Sequence, residues 1–151
     1  MAFTNRRLIA ILIVPFAVVL AAVVVATYAL PAVTLQVNQA TYRVGDVVRF
    51  SLHNGLKEPV YLECTAPWQI SREIDGSWHP VEAHVCLAVI VAVASGETRN
   101  WSWVSQTARD RPDLAHVEPG QYRIEMSALT QCASPAQGCT SVHLTAFFRL
   151  Q

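Results

Sequence analysis

The sequence predicts an all-β fold, an antiparallel β-sandwich, preceded by one N-terminal transmembrane helix. Three observations predict it. Apolar and polar residues alternate along most of the chain after residue 31, which is the pattern of half-buried strands. Gly, Pro, Asn and Asp fall between the alternating runs, where chain reversals need them. The chain before residue 31 is instead an apolar stretch with almost no charge, and such a stretch is typical of a helix in lipid.

The N-terminal stretch explains an unusual composition. The 151 residues are 52% apolar and only 15% charged, whereas about 25% charged is typical of a soluble domain. No Asp, Glu, Lys or Arg occurs between Arg7 and Arg43. As a helix, residues 8–30 would extend roughly 34 Å, enough to cross a hydrocarbon core of about 30 Å. Pro15 would kink this helix, and Pro31 suits its end.

The flanking positive charges predict the orientation. Arg6 and Arg7 precede the apolar segment, so the positive-inside rule places residues 1–7 in the cytoplasm. Residues 8–30 then contact membrane lipid as a signal anchor, and residues 31–151 form an extracytoplasmic domain. The expected location is therefore the cell membrane, with a single pass and the C-terminal domain outside.

A cleaved signal peptide is the alternative interpretation of the same segment. Cleavage after Ala26 or Ala29 would fit the small residues that such sites require. The apolar region of a signal peptide spans only about 7–15 residues, however, and this one is longer. Both interpretations put the remainder of the chain outside the cytoplasm.

Alternation after residue 31 predicts the strands in order. In the first run, Val33, Leu35 and Val37 take one face and the polar residues between them take the other. The longer runs of this kind cover residues 33–38, 47–54, 121–128 and 141–150. The shorter candidates cover residues 60–64, 68–74, 78–82 and 101–104. Residues 87–93 are apolar throughout, which predicts a strand buried on both faces.

Turn residues separate these runs. Asp75-Gly76 lies between two strand-like runs and is a strong hairpin signal. Residues 105–118 are polar and contain Pro112, so they predict a long loop with at most one helical turn. Seven to nine short strands in about 120 residues indicate an antiparallel β-sandwich of immunoglobulin type.

All four cysteines follow the membrane segment, and an even number in an oxidising compartment indicates disulfides. Four cysteines allow three connectivities. We favour Cys64–Cys86 and Cys132–Cys139, because the second pair closes a short loop. A metal site is the alternative use of these residues, although the chain has no C-x-x-C motif of the usual zinc or thioredoxin type.

Four motifs carry a resemblance to known domains. The run Tyr42–Asn54 resembles the Y-x-x-G-D-x-V-x-F-x-L-x-N strand of many bacterial extracytoplasmic immunoglobulin-like domains. Residues 75–78, 95–98 and 119–124 resemble the later turns of the same group. The motif order is similar to that of the bacterial intracellular proteinase inhibitor family, which implies an immunoglobulin-like fold and, more weakly, protease inhibition. That family is cytoplasmic, whereas this chain has a membrane segment and paired cysteines.

The densest polar cluster suggests a copper site as an alternative. On an extended strand His84 and Cys86 share a face, and Met126 and His143 could complete a site of cupredoxin type. Such sites normally gather their ligands on one loop near the C-terminus, and no methionine follows His143. The simpler interpretation is Cys86 in a disulfide and the histidines on exposed strand edges, with no metal or cofactor.

Two pairs of residues are the predicted partner-binding positions. Trp101 and Trp103 are two residues apart, so they share a face of a strand. They either pack in the core, which we favour for at least one of them, or form an aromatic surface for a partner. Arg109 and Arg111 lie in the polar loop, where a sandwich can present a binding surface.

The predicted function follows from location rather than from a catalytic motif. The sequence has no G-x-S-x-G or H-E-x-x-H motif and no paired carboxylates on a strand. A net charge of 0 offers nucleic acid no basic face. We expect a non-catalytic extracytoplasmic interaction domain, an accessory subunit that binds another membrane or envelope protein. The alternatives are a secreted copper-binding or redox domain and a protease inhibitor.

Overall fold

The computed structural model describes residues 32–84, 86, 89–106 and 114–151, and in these ranges the protein is all-β with no helix. The strands are β1 (Val33–Val37), β2 (Thr41–Tyr42), β3 (Val47–Asn54), β4 (Val60–Leu62), β5 (Trp68–Ile74), β6 (Ser77–Ala83), β7 (Val91–Val93), β8 (Thr98–Val104), β9 (Gly120–Thr130) and β10 (Thr140–Leu150). The predicted membrane helix, residues 8–30, lies outside the described residues. Within them, no helix has the length and apolarity needed to cross a membrane.

The strands form two sheets in a sandwich-like arrangement. One sheet has the order β1-β3-β8 and is antiparallel. In the second sheet, β9 pairs with β10 along one edge, and β2 joins β10 in parallel. The other edge of β9 pairs with β5 along its first half and with β4 near its end. β6 pairs with the other edge of β5, and β7 pairs with the other edge of β4. The predicted all-β sandwich is confirmed at this level.

Alternating burial builds the core between the sheets. Every second residue of β3 and of β9 is buried, as the periodicity predicts. Aromatic rings from both sheets meet inside. Phe50 of β3 contacts the edge of Trp68 of β5 at 5.2 Å between ring centroids, and Tyr122 stacks on Phe148 at 5.3 Å.

The predicted hairpin at Asp75-Gly76 is confirmed. It joins β5 to β6, and both residues have positive φ, 51° and 77°. Two-residue hairpin turns of this kind require positive φ, which Gly adopts without strain and Asp tolerates.

The prediction of a strand buried on both faces over residues 87–93 is wrong for the residues described there. The strand covers only Val91–Val93, and Val89 and Ile90 are about half exposed. The described pairing of β7 is with β4 alone, so β7 lies at the sheet edge and turns only one face to the core. An apolar run cannot reveal this, because it lacks the alternation that marks a half-buried strand.

Tyr122 ties the start of β9 to the loop before it. Its hydroxyl donates to the Glu118 carbonyl oxygen and accepts the Glu118 N–H at 3.0 Å. Arg72 supports the same loop, with its Nη1 2.7 Å from Glu118 Oε2. Burial raises the pKa of the Tyr122 hydroxyl above its usual value of 10.0.

We expect Tyr122→Phe to lower the free energy of unfolding by about 1–2 kcal/mol, because the Glu118 backbone groups lose their partner. The raised pKa means that the hydroxyl ionises in the unfolded chain before it ionises in the folded one. Its stabilisation is therefore complete below about pH 10 and is lost as pH rises further. Urea unfolding between pH 8 and pH 11 checks this. The variant should lose less stability than the wild type over that range, and equal losses would contradict the assignment.

Candidate functional site

The outward face of the seven-stranded sheet carries a continuous polar and aromatic surface. Because alternate residues of β9 point into the core, the remaining ones and their cross-strand neighbours face outward. These outward residues are Gln69 and Ser71 of β5, Arg123, Glu125 and Ser127 of β9, and His143, Thr145 and Phe147 of β10. We call this surface the outward face.

An aromatic ridge crosses the outward face. Trp78 comes from the edge strand β6, yet its ring centroid lies 6.0 Å from that of Phe147 on β10. The guanidinium carbon of Arg123 lies 4.5 Å from the Trp78 ring centroid, a cation–π contact. Ser71 of β5, which lies between β6 and β9, is only 1% exposed although it faces outward. We call Trp78, Arg123 and Phe147 the aromatic ridge.

A cavity of about 480 Å³ opens on the same side of the protein. It forms where β4 and β5 separate along β9, because β4 pairs at Leu129 and β5 begins opposite Met126. The residues between these strands leave the sheet edge and form one wall. Seven of the fourteen lining residues have polar side chains: Glu63, Gln69, His84, Glu125, Ser127, His143 and Thr145.

Short polar contacts hold the cavity walls. His143 Nδ1 lies 3.0 Å from Ser127 Oγ on the neighbouring strand, and Gln69 Nε2 donates to Ser71 Oγ at 3.2 Å. The carboxylate of Glu125 is neutralised by Arg123, with Oε2 2.8 Å from Nε. This ion pair also connects the cavity to the aromatic ridge.

Both predicted disulfides are present. Cys64–Cys86 joins the end of β4 to the segment after β6, and Cys132–Cys139 closes the turn between β9 and β10. The first disulfide also forms part of the cavity wall, because Cys86 lies two residues after His84 and both residues line the cavity. The His84 ring packs against Trp68 at 4.2 Å between centroids.

The structure brings the proposed copper ligands to one cavity but not into a copper site. His84, Cys86, Met126 and His143 all line it. Cys86 is bonded to Cys64, so it offers no thiolate, and the ligand set predicted with Cys86 is wrong. In the part of the chain that the structure describes, no three His, Cys, Asp or Glu side chains are grouped to hold a metal ion.

Of the predicted partner-binding residues, Trp101 and Trp103 lie on β8 in the other sheet and not on the outward face. Trp103 is 4% exposed and packs inside the sandwich near Tyr122, as we favoured for at least one of the pair, so its ring cannot serve a partner in this fold. Trp101 is half-buried, stacks on Phe50 at 6.0 Å and donates its Nε1–H to the Thr65 carbonyl at 2.8 Å. Arg109 and Arg111 lie outside the described residues.

Sequence reasoning missed Trp78 and Phe147. One sequence feature could have pointed to Phe147. It is adjacent to Phe148 on a strand, so the two rings must point to opposite faces and one of them must face away from the core. The contact of Trp78 with Arg123 and Phe147 had no such signal, since it joins three strands far apart in sequence.

No family model and no curated protein matches the chain. Among solved structures, it is similar to the Pseudomonas fluorescens alkylpurine DNA glycosylase AlkC bound to DNA, at 16% identity and TM-score 0.38, over 79% of this chain and 30% of that one. It is also similar to an Erythrobacter marinus β-glucosidase, at 21% identity and TM-score 0.36, over 75% and 15%. A third is the ASH/PapD-like domain of human CEP192, at 12% identity and TM-score 0.32, over 80% and 87%. The chain thus spans under a third of the first two proteins, and at these TM-scores none of the three similarities indicates a function.

Proposed function

We propose that this protein is a membrane-anchored, non-catalytic extracytoplasmic interaction domain, an accessory subunit that binds another membrane or envelope protein. One observation carries the proposal. The all-β unit that follows the apolar segment contains two disulfides, Cys64–Cys86 and Cys132–Cys139. Disulfides persist in oxidising compartments outside the cytoplasm and are rare within it.

The N-terminal sequence supports the anchor. Residues 8–30 are long enough to span the bilayer and follow Arg6 and Arg7, which the positive-inside rule keeps in the cytoplasm. The domain after residue 31 then lies on the outer side, in agreement with the disulfides.

Two features support an immunoglobulin-like class for the sandwich. The Tyr122 hydroxyl binds the backbone of Glu118 at the start of β9, in the manner of the tyrosine corner of such domains. Trp68 on β5 packs against Phe50 on β3 across the two sheets. Sandwiches of this class are common scaffolds for recognition, and their function lies in the surfaces they present.

Affinity purification of the full-length, C-terminally tagged protein from detergent-solubilised membranes tests the proposal. We expect a stoichiometric membrane or envelope protein to be recovered with it. Protease added to cells with a permeable outer boundary should remove the tag, which checks the orientation. A control chain with residues 1–31 exchanged for an unrelated signal anchor should recover the same partner. Recovery as a free soluble species would refute the anchor, and membrane recovery without a partner would refute the subunit role.

The copper-binding or redox alternative retains one supporting observation, the convergence of His84, Met126 and His143 on one cavity. Metal analysis of the purified protein tests it. Stoichiometric copper that is lost in His84→Ala or His143→Ala would favour this alternative over a purely protein-binding role. A preparation without copper after incubation with the metal would remove it.

A further inference from the structure

We infer that the outward face of the seven-stranded sheet binds a neutral glycan, with the aromatic ridge contacting sugar rings and the adjoining cavity binding their hydroxyls. This goes beyond the protein-binding role proposed above and rests only on its extracytoplasmic location, where envelope polysaccharides are accessible. Three properties of the surface lead to it: a fixed aromatic cluster with one exposed ring, a mixed set of donors and acceptors, and balanced charge.

The aromatic ridge combines one exposed ring with half-buried neighbours that hold it in place. Phe147 is 60% exposed and lies beside the Trp78 ring, so the two rings form a small aromatic patch and not a single scattered apolar residue. Trp78 contacts both Phe147 and the Arg123 guanidinium, and these contacts restrict its ring. A pyranose ring has an apolar face of C–H groups, and such faces pack on aromatic rings. A preordered aromatic surface loses little conformational entropy when it binds.

The cavity offers both hydrogen-bond donors and acceptors. The amide of Gln69, the hydroxyls of Ser127 and Thr145 and the imidazole of His143 each combine both capacities. A sugar hydroxyl donates one hydrogen bond and accepts others, so it needs this mixture. The cavity volume of about 480 Å³ lies within the range of about 300–1,000 Å³ found for small-ligand sites.

Charge distinguishes a neutral glycan from other ligands. The positive charge of Arg123 is paired with the Glu125 carboxylate. It therefore does not attract an acidic sugar strongly. Glu63 at the cavity would repel an acidic sugar. The centre of a protein interface is normally apolar and depleted in charge, whereas half of the residues that line the cavity beside this ridge are polar and two of them, Glu63 and Glu125, are acidic. A neutral polyhydroxylated ligand fits both parts of the surface.

The test titrates the full-length protein, in a detergent without sugar headgroups and with EDTA present, against purified oligosaccharides. The neutral probes are oligomers of β-1,4-glucose, β-1,4-mannose, β-1,3-glucose, N-acetylglucosamine and arabinose, and the acidic probe is oligogalacturonate. We expect at least one neutral probe to bind with Kd of about 1 mM or tighter. Trp78→Ala and Phe147→Ala should each weaken it by at least about tenfold.

Matched variants control for folding. Val104→Ala removes an exposed apolar side chain, 48% exposed, from the outer face of the other sheet, and should leave Kd unchanged. Gln69→Ala and Thr145→Val change the cavity without touching the aromatic ridge, and each should weaken binding severalfold. They keep the inference testable if Trp78→Ala fails to fold.

Three outcomes would overturn the inference: no neutral probe bound at about 1 mM, binding retained in both ridge variants, or tighter binding of oligogalacturonate. These are separable from failure of the proposed protein partner. A protein that recovers its membrane partner but binds no glycan refutes only this inference. A protein that binds glycan but recovers no partner refutes only the subunit role.

Discussion

Replacing Asn54 by leucine is expected to lower the free energy of unfolding by about 2–4 kcal/mol. Asn54 ends β3 and is fully buried. Its Nδ2 lies 2.9–3.1 Å from the carbonyl oxygens of Glu58, Val93 and Ala94, and its Oδ1 accepts the Leu56 N–H at 3.0 Å. One side chain therefore holds together the loop after β3 and the turn before β8. Leucine fills a similar volume but leaves these backbone groups without their partner, and each such loss costs about 1–3 kcal/mol where the group is buried.

Urea unfolding of the wild type and the variant, followed by tryptophan fluorescence, measures this loss. Asn54→Asp provides a sharper test because it keeps the shape and replaces the amide donor with a carboxyl. Burial among carbonyl oxygens should raise the pKa of that carboxyl. Its neutral form is therefore favoured in the fold, and this variant should regain stability as pH falls and lose it as pH rises.

Asn100→Leu, at an exposed position of β8, is the control. A cost below about 0.5 kcal/mol at Asn54, as at ordinary surface sites, would contradict the assigned role.

Removing the Cys64–Cys86 disulfide by a double change to alanine is expected to cost about 3 kcal/mol. The two disulfides differ in the length of chain that they close, with sequence separations of 22 and 7. In the chain-entropy treatment, the longer loop restricts the unfolded state more, and the shorter one is worth about 2 kcal/mol. Cys64–Cys86 should therefore stabilise the domain more than Cys132–Cys139 by about 1 kcal/mol.

The two double-alanine variants serve as controls for each other in denaturant unfolding under otherwise identical conditions. A larger loss for Cys132→Ala/Cys139→Ala would contradict the loop-length argument. The Cys64→Ala/Cys86→Ala variant has a second expected effect. It removes the covalent bond that holds the segment after β6, and this segment forms the cavity wall next to His84. Binding at the cavity should weaken in this variant and remain in the other, provided that circular dichroism shows both to be folded.

Local sequence predicted much of the fold. The alternation in residues 47–54 and 121–128 predicted which residues of β3 and β9 are buried, because a strand turns successive side chains to opposite faces. Asp75-Gly76 predicted its hairpin, since few residue pairs adopt two consecutive positive φ angles. The cysteine pairing was also predicted, because a short loop favoured Cys132–Cys139 and left the other two cysteines to pair.

The candidate site was much harder to predict. The sequence pointed to Trp101 and Trp103, which share a face, but that face is the one turned to the core. It placed His84, Cys86, Met126 and His143 in one group, and they do line one cavity, yet Cys86 is used in a disulfide. Spacing along a strand shows which residues share a face. It does not show whether that face meets the other sheet or the solvent.

Strand positions, turns and cysteine pairs depend on neighbours close in the chain, and the sequence was enough to predict most of them. The apolar run 87–93 was the exception, because only pairing partners decide whether a strand is central or at an edge. The aromatic ridge and the cavity depend on the order of β6, β5, β9 and β10 in the sheet. That order brings Trp78 to Phe147 across two intervening strands, and it opens a gap where β4 and β5 part. Only tertiary structure decides such contacts, because they join side chains that are distant in sequence and arise from packing and not from local conformational preference.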